Sequence, residues 1–63
     1  MENETPALLP LQQWARLAGI GRDAAYRLTR EGRLRHMKVG RRILVPRSEL
    51  VAFPEREAVE ATG

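Results

Sequence analysis

A chain of 63 residues with no cysteine, one histidine and a formal charge of +3 can hold one domain around a small core, because so short a chain buries a modest share of its surface. Those counts exclude disulfides and thiolate metal sites, and His36 cannot assemble a zinc site alone. With no acidic cluster beside a nucleophile either, the sequence points away from an enzyme and implies no metal and no cofactor.

The charge is unevenly spread. Residues 22–47 carry nine Lys or Arg against Asp23 and Glu31, a net of +7, while residues 1–21 sum to −1 and residues 48–63 to −3. A basic block between mildly acidic ends predicts a phosphate-bearing partner, either nucleic acid or an anionic membrane surface. The opening MENETPALLP has two glutamates, no basic leader and no long apolar run, so the expectation is no signal peptide, no membrane anchor and a cytoplasmic location.

Residues 1–7 are polar, hold Pro6, and predict a flexible N-terminus. Leu8 and Leu9 form a short apolar run, and Pro10 suits the first turn of a helix, where its missing N–H is not needed. Leu11, Trp14, Ala15 and Ala18 then recur at i, i+3, i+4 and i+7, which predicts one buried stripe with Gln12, Gln13 and Arg16 outside and Gly19 at the end. Trp14 lies in that stripe and reads as core. Only Gly19, Ile20 and Gly21 precede the next helical pattern, so the two helices must cross steeply as a helix-turn-helix.

That second pattern is strongly basic. Arg22, Tyr26 and Arg30 line up at spacings of four with Asp23 and Arg27 beside them, while Ala25 and Leu28 occupy the opposite flank. Gly21 can serve as N-cap and Gly32 as a left-handed C-cap. A helix lying in a DNA groove needs such a face, because guanidinium groups bind phosphates or guanine edges and a tyrosine hydroxyl binds phosphate. Taken alone, the helix also fits a solvated surface laced by Asp23–Arg27 and Arg27–Glu31 pairs.

After Gly32 the periodicity becomes alternating. Met37 and Val39, then Ile43 and Val45, predict two short strands with Gly40 at the turn. A two-residue loop would set Val39 against Arg42, whereas a three-residue loop, Gly40 to Arg42, would set Val39 against Ile43 and Met37 against Val45. Shared apolar faces favour the longer loop. Arg41 and Arg42 then project from the tip, with Lys38, His36 and Arg35 along the outer side, and His36 reads as a polar strand residue. A basic hairpin next to a basic helix is a wing, and two neighbouring positive elements favour nucleic acid over a merely solvated face.

Pro46 opens a last short helix, RSELVAF, whose Leu50 and Phe53 close the core, and Pro54 halts it. The expected architecture is mainly α with a small β-hairpin, a winged helix-turn-helix. It runs as helix, turn, recognition helix, two-stranded wing and short C-terminal helix over residues 8–54, followed by a flexible acidic tail at 55–63.

Two continuous segments, LLPLQQWARLAGIGRDAAYRLTREGRL and VGRRILVPRSELVAF, together resemble the small excisionase-type winged helix-turn-helix proteins related to the DNA-binding domains of the MerR group. The resemblance implies that Arg22, Asp23, Tyr26 and Arg27 face DNA from the recognition helix and that Arg41 and Arg42 belong to the wing. Gly21 stands where the family usually has a capping Ser, Ala24 where it has a Thr, and Leu44 at a position often basic, so each removes a possible backbone contact. It further implies the role of such proteins, recombination directionality factors. Copies, monomeric when free, assemble side by side on repeated attachment sites in double-stranded DNA, bend it and help an integrase excise a phage or integrative element. A small transcriptional regulator could use the same surface. An antitoxin-like module would instead use Glu55 to Glu60 as a segment that folds on a partner.

Overall fold

The computed structural model describes residues 7–58. Six elements follow in order: β1 (Leu8–Pro10), α1 (Leu11–Ala18), α2 (Arg22–Arg30), β2 (Met37–Val39), β3 (Arg42–Pro46) and α3 (Glu49–Glu57). The winged helix-turn-helix is present, and its sheet has one strand more than the sequence suggested. Leu8 to Pro10 pairs antiparallel with β3, so the sheet order is β1-β3-β2. The apolar pair before α1 is an edge strand, where a proline costs no ladder hydrogen bond. Pro10 ends that strand and caps α1 with φ −56° and ψ 145°.

The core is small and continuous. Leu9, Leu11, Trp14, Ala15, Ala25, Leu34, Val45 and Phe53 are buried, and Trp14 meets Phe53 edge to face with ring centroids 5.5 Å apart and planes at 83°. Each large member contributes roughly 1.5–3 kcal/mol by leaving water, so Trp14 and its neighbours dominate the stability of this chain. Ala18, expected in the buried stripe, is exposed. Seven residues on from Leu11 the helix has returned to nearly the same face, so Ala18 keeps the direction of the stripe but, as the last residue of α1, rims an open hollow beside Leu50, Phe53 and Pro54.

Helices α1 and α2 end in the same way. Beyond α2 the N–H of Gly32 bonds the carbonyl of Thr29 at 3.1 Å and the N–H of Arg33 bonds that of Leu28 at 3.0 Å. This double closure needs a left-handed residue, and Gly32 supplies it at φ 72°. Gly19 and Ile20 close α1 on Arg16 and Ala15. The turn between the helices is thus fixed by backbone bonds.

The hairpin corrects the expected register. Val39 faces Arg42, Lys38 faces Ile43 and Met37 faces Leu44, which leaves a two-residue loop of Gly40 and Arg41. Gly40 has φ 63°, and glycine at the first of two loop residues suits a tight turn whose twist matches the strands. The apolar alternation misled because β2 has no buried face: Met37 and Val39 are 48 % and 53 % exposed. His36 also lies just before β2, not in it.

Pro54 does not halt α3, which runs on to Glu57. Residues 55–57 of the expected tail are therefore helical, and the tail beyond Ala58, like residues 1–6, lies outside the described residues. The turn after Pro54 survives because its side chains are tied to the α2–β2 connection. Arg56 Nη2 donates to Glu49 Oε1 at 2.8 Å and to the Arg33 carbonyl at 3.0 Å, and Arg33 Nε donates to Glu57 Oε1 at 3.1 Å.

Candidate nucleic-acid interface

Helix α2 buries Ala25 and Thr29 and half-buries Leu28, which fixes the rotation of its opposite face. Thr29 is satisfied internally, its hydroxyl donating to the Tyr26 carbonyl at 2.7 Å. Arg22, Asp23, Arg27 and Arg30 are consequently exposed, and Tyr26 is half-buried at the rim of the core. The start of α2 has Gly21 in extended geometry and no side-chain cap, with Asp23 in the first turn. A carboxylate there favours the positive end of the helix.

Arg41 and Arg42 stand at the hairpin tip, and both line a shallow groove with Tyr26 of α2, Ile43 of β3 and Gln12 of α1. Helix and wing tip are therefore brought together at Tyr26. Arg22 belongs to an adjoining groove with Arg16, Gln12, Ala15 and Ile20. Arg35 and His36 line a separate hollow at the wing base, with Gly32, Leu34, Met37 and Pro46. Lys38 is exposed on β2. The expected set thus divides between a helix-and-tip surface and a wing base.

The wing base is held from behind by a carboxylate that sequence reasoning passed over. Glu49 is only 1 % exposed, yet it carries the charge that receives Arg56 at 2.8 Å and the backbone N–H of Arg35 at 3.3 Å. Burial pushes the Glu49 carboxyl up, but the Arg56 hydrogen bond, the Arg35 N–H and the charges of both arginines outweigh it and leave the group below its ordinary value. His36 is oriented by the same connection, with Nδ1 2.8 Å from the Leu34 carbonyl, so that nitrogen carries the proton. Glu31 pairs with Arg33 at 3.3 Å, not with Arg27, and among the described residues no ion pair laces α2. Neither the Asp23–Arg27 nor the Arg27–Glu31 pair expected of a salt-bridged helix forms, although its arginines are solvent-exposed.

A short packing helix, a tight turn, a basic helix and a strand hairpin over one core are the parts of a helix-turn-helix unit. A family model described as a helix-turn-helix domain matches residues 8–58, which is most of the chain. The chain belongs to the helix-turn-helix domain family. That family includes excisionase-like DNA-binding domains, and membership supports DNA binding as the activity of this domain. No curated protein and no solved structure matches the chain. Among the described residues no helix is long and apolar enough to cross a membrane, and no three metal-ligating side chains gather.

Two more residues of the helix-turn-helix unit border these grooves and were not singled out: Gln12 and Arg16, both exposed on α1. Their spacing of four on one helical face was the available signal. It was hidden because polar residues opposite an apolar stripe need no special explanation.

Proposed function

We propose that this protein is an excisionase-type recombination directionality factor that reads double-stranded DNA through Arg22, Asp23, Tyr26, Arg27 and Arg30 of α2. Arg41, Arg42 and Lys38 of the wing hold the backbone beside the groove, with Arg35 and His36 contacting it from the wing base. The observation that carries this reading is the groove in which Tyr26 of α2 meets Arg41 and Arg42 of the wing tip. It lets one duplex touch the helix in its major groove and the hairpin on the flanking strand together. Separate copies bind neighbouring direct repeats, contact one another side by side on the DNA, bend it and present it to an integrase. The free chain is a monomer.

Selection from random duplex DNA at physiological salt tests this. Enriched direct repeats spaced by about one helical turn or less, with bending seen as a mobility shift in circularly permuted fragments, are the expected result. An inverted repeat would make the protein a dimeric regulator, and straight DNA carrying isolated sites would remove the architectural role.

A further inference from the structure

We infer that Arg56, at the end of α3, is a positioning residue for DNA binding. With Glu49 it clamps the connection between α2 and β2, and so sets where the wing stands relative to the recognition helix. This role rests on the DNA-binding reading above and gives a part in it to side chains outside both the helix and the wing. The need for a clamp follows from how the elements meet. Helix α2 brings its backbone up to that of α1 alone among the elements, and β2 rests on β3 alone, whereas β3 is also supported by β1, α1 and α3. Strand β2 is therefore the loosely held half of the wing. Its direct link to the recognition helix is the connection of residues 31–36.

That connection is gripped on both sides of a buried residue. Arg56 Nη2 donates to the Arg33 carbonyl at 3.0 Å, Glu49 Oε1 accepts the Arg35 N–H at 3.3 Å, and Leu34 between them lies in the core. The two gripping side chains bond each other at 2.8 Å. The Arg56 guanidinium also lies 5.8 Å from the centre of the Phe53 ring, which meets Trp14 edge to face, so the clamp stands on the aromatic core. Pro54 has no N–H to give the Leu50 carbonyl, and the turn that follows it is poor helix by local rules. It nevertheless forms and carries Arg56 and Glu57 back onto Arg33. A wing base fixed in this way spares the ordering cost that a wandering hairpin would meet on binding DNA. A pair that only stabilised the fold would leave the contribution of the wing tip to binding unchanged.

The test is a double-mutant cycle on the full chain, titrated onto a fluorescent mixed-sequence duplex at several NaCl concentrations, below the melting temperature of every variant. In the parent, Arg41→Ala should make the slope of log affinity on log salt shallower by about 0.9. In an Arg56→Ala background the same substitution should change the slope by about half as much or less, because a loosened wing no longer keeps its tip on the phosphates. Arg27→Ala should cost the same in both backgrounds. Arg56→Ala itself should weaken binding about three- to tenfold, through the ordering cost it restores. Glu49→Gln keeps the packing of the side chain and leaves no buried carboxylate unpaired, so it should shrink the Arg41 effect in the same direction and serves where Arg56→Ala does not fold. An Arg41 effect of full size in both backgrounds would overturn the clamp and leave the DNA-binding reading standing. Such additivity would make Glu49 and Arg56 supports of the fold or make Arg56 a separate contact to DNA. Equal shrinkage of the Arg27 and Arg41 effects would overturn it as well, by showing a general loss of the folded surface. A parent chain without salt-dependent binding, or one that Arg41→Ala leaves unchanged, would remove the reading on which the clamp rests and the clamp with it.

Discussion

Arginine has opposite fates in two parts of this molecule. Beside α3, Arg33 and Arg56 are tied to Glu31, Glu57 and Glu49 of the same chain. Along α2 and the hairpin tip, Arg22, Arg27, Arg30, Arg41 and Arg42 stand in solvent with no carboxylate in ion-pair reach among the described residues. The same residue type thus closes the fold in one region and is left exposed in the other. What separates them is the placement of acid: Glu49 and Glu57 lie on α3, and only Asp23 sits among the exposed arginines of α2.

The comparison can be broken at its common support. We expect Trp14→Ala to cost about 3–5 kcal/mol, because it empties the site under both regions and removes the edge-to-face contact with Phe53. A domain of this size holds only a few kcal/mol in total, so denaturant unfolding followed by circular dichroism should find the variant largely unfolded. A variant that still melts cooperatively near the parent temperature would show that the core does not rest on this ring.

The open side is sharpened by Arg22→Ala. We predict a loss of about 1–3 kcal/mol in binding the preferred sequence, with weakly bound sequences nearly unaffected, if the side chain reads a guanine. Equal weakening on all sequences would assign Arg22 to the phosphate backbone alone.

The closed side has a pH signature. A carboxyl held below its ordinary value in the fold contributes stability that is complete above the unfolded value and disappears as pH falls through the folded one. For Glu49, whose ordinary value is 4.5, the fold should therefore lose stability as pH drops below that value. Glu49→Gln should cost about 1–2 kcal/mol at neutral pH, since two hydrogen bonds to a charged acceptor weaken and Arg56, part-exposed, can turn to water. It should also flatten the acid limb of the stability curve, and an unchanged limb would place the titration elsewhere.

Arg41→Ala is the smallest of these perturbations. Weaker binding to every sequence and a salt slope shallower by about 0.9 are expected, with unfolding unchanged. An effect confined to one sequence would mean that the tip reads bases.

Much of this was legible from residue order. The stripe of Leu11, Trp14 and Ala15, the short turn at Gly19, the basic face of α2 and the glycine after it all follow local periodicity, and local periodicity is what a sequence displays directly. The strand at Leu8 was not legible, since three residues show no alternation and its partner lies more than thirty residues away. The hairpin register failed for a related reason. Alternation sets register only where one face is buried, and β2 buries none. Pro54 is a strong local stop that lost to contacts from a distant loop. For the interface, residue types showed which side chains could meet DNA, while only the assembled grooves distinguished Arg41 and Arg42, beside Tyr26, from Arg35 and His36.

Strand β2 pairs with β3 on one side only, so the other side offers unpaired backbone groups between the exposed Met37 and Val39. An apolar open edge is a template for pairing with another chain, and it invites aggregation when the protein is concentrated. Lys38 sits in the middle of that edge. Its buried-charge cost in any strand stacked against it would guard the molecule against sticking to itself, so the same cation that can meet phosphate also helps keep the unoccupied protein in solution.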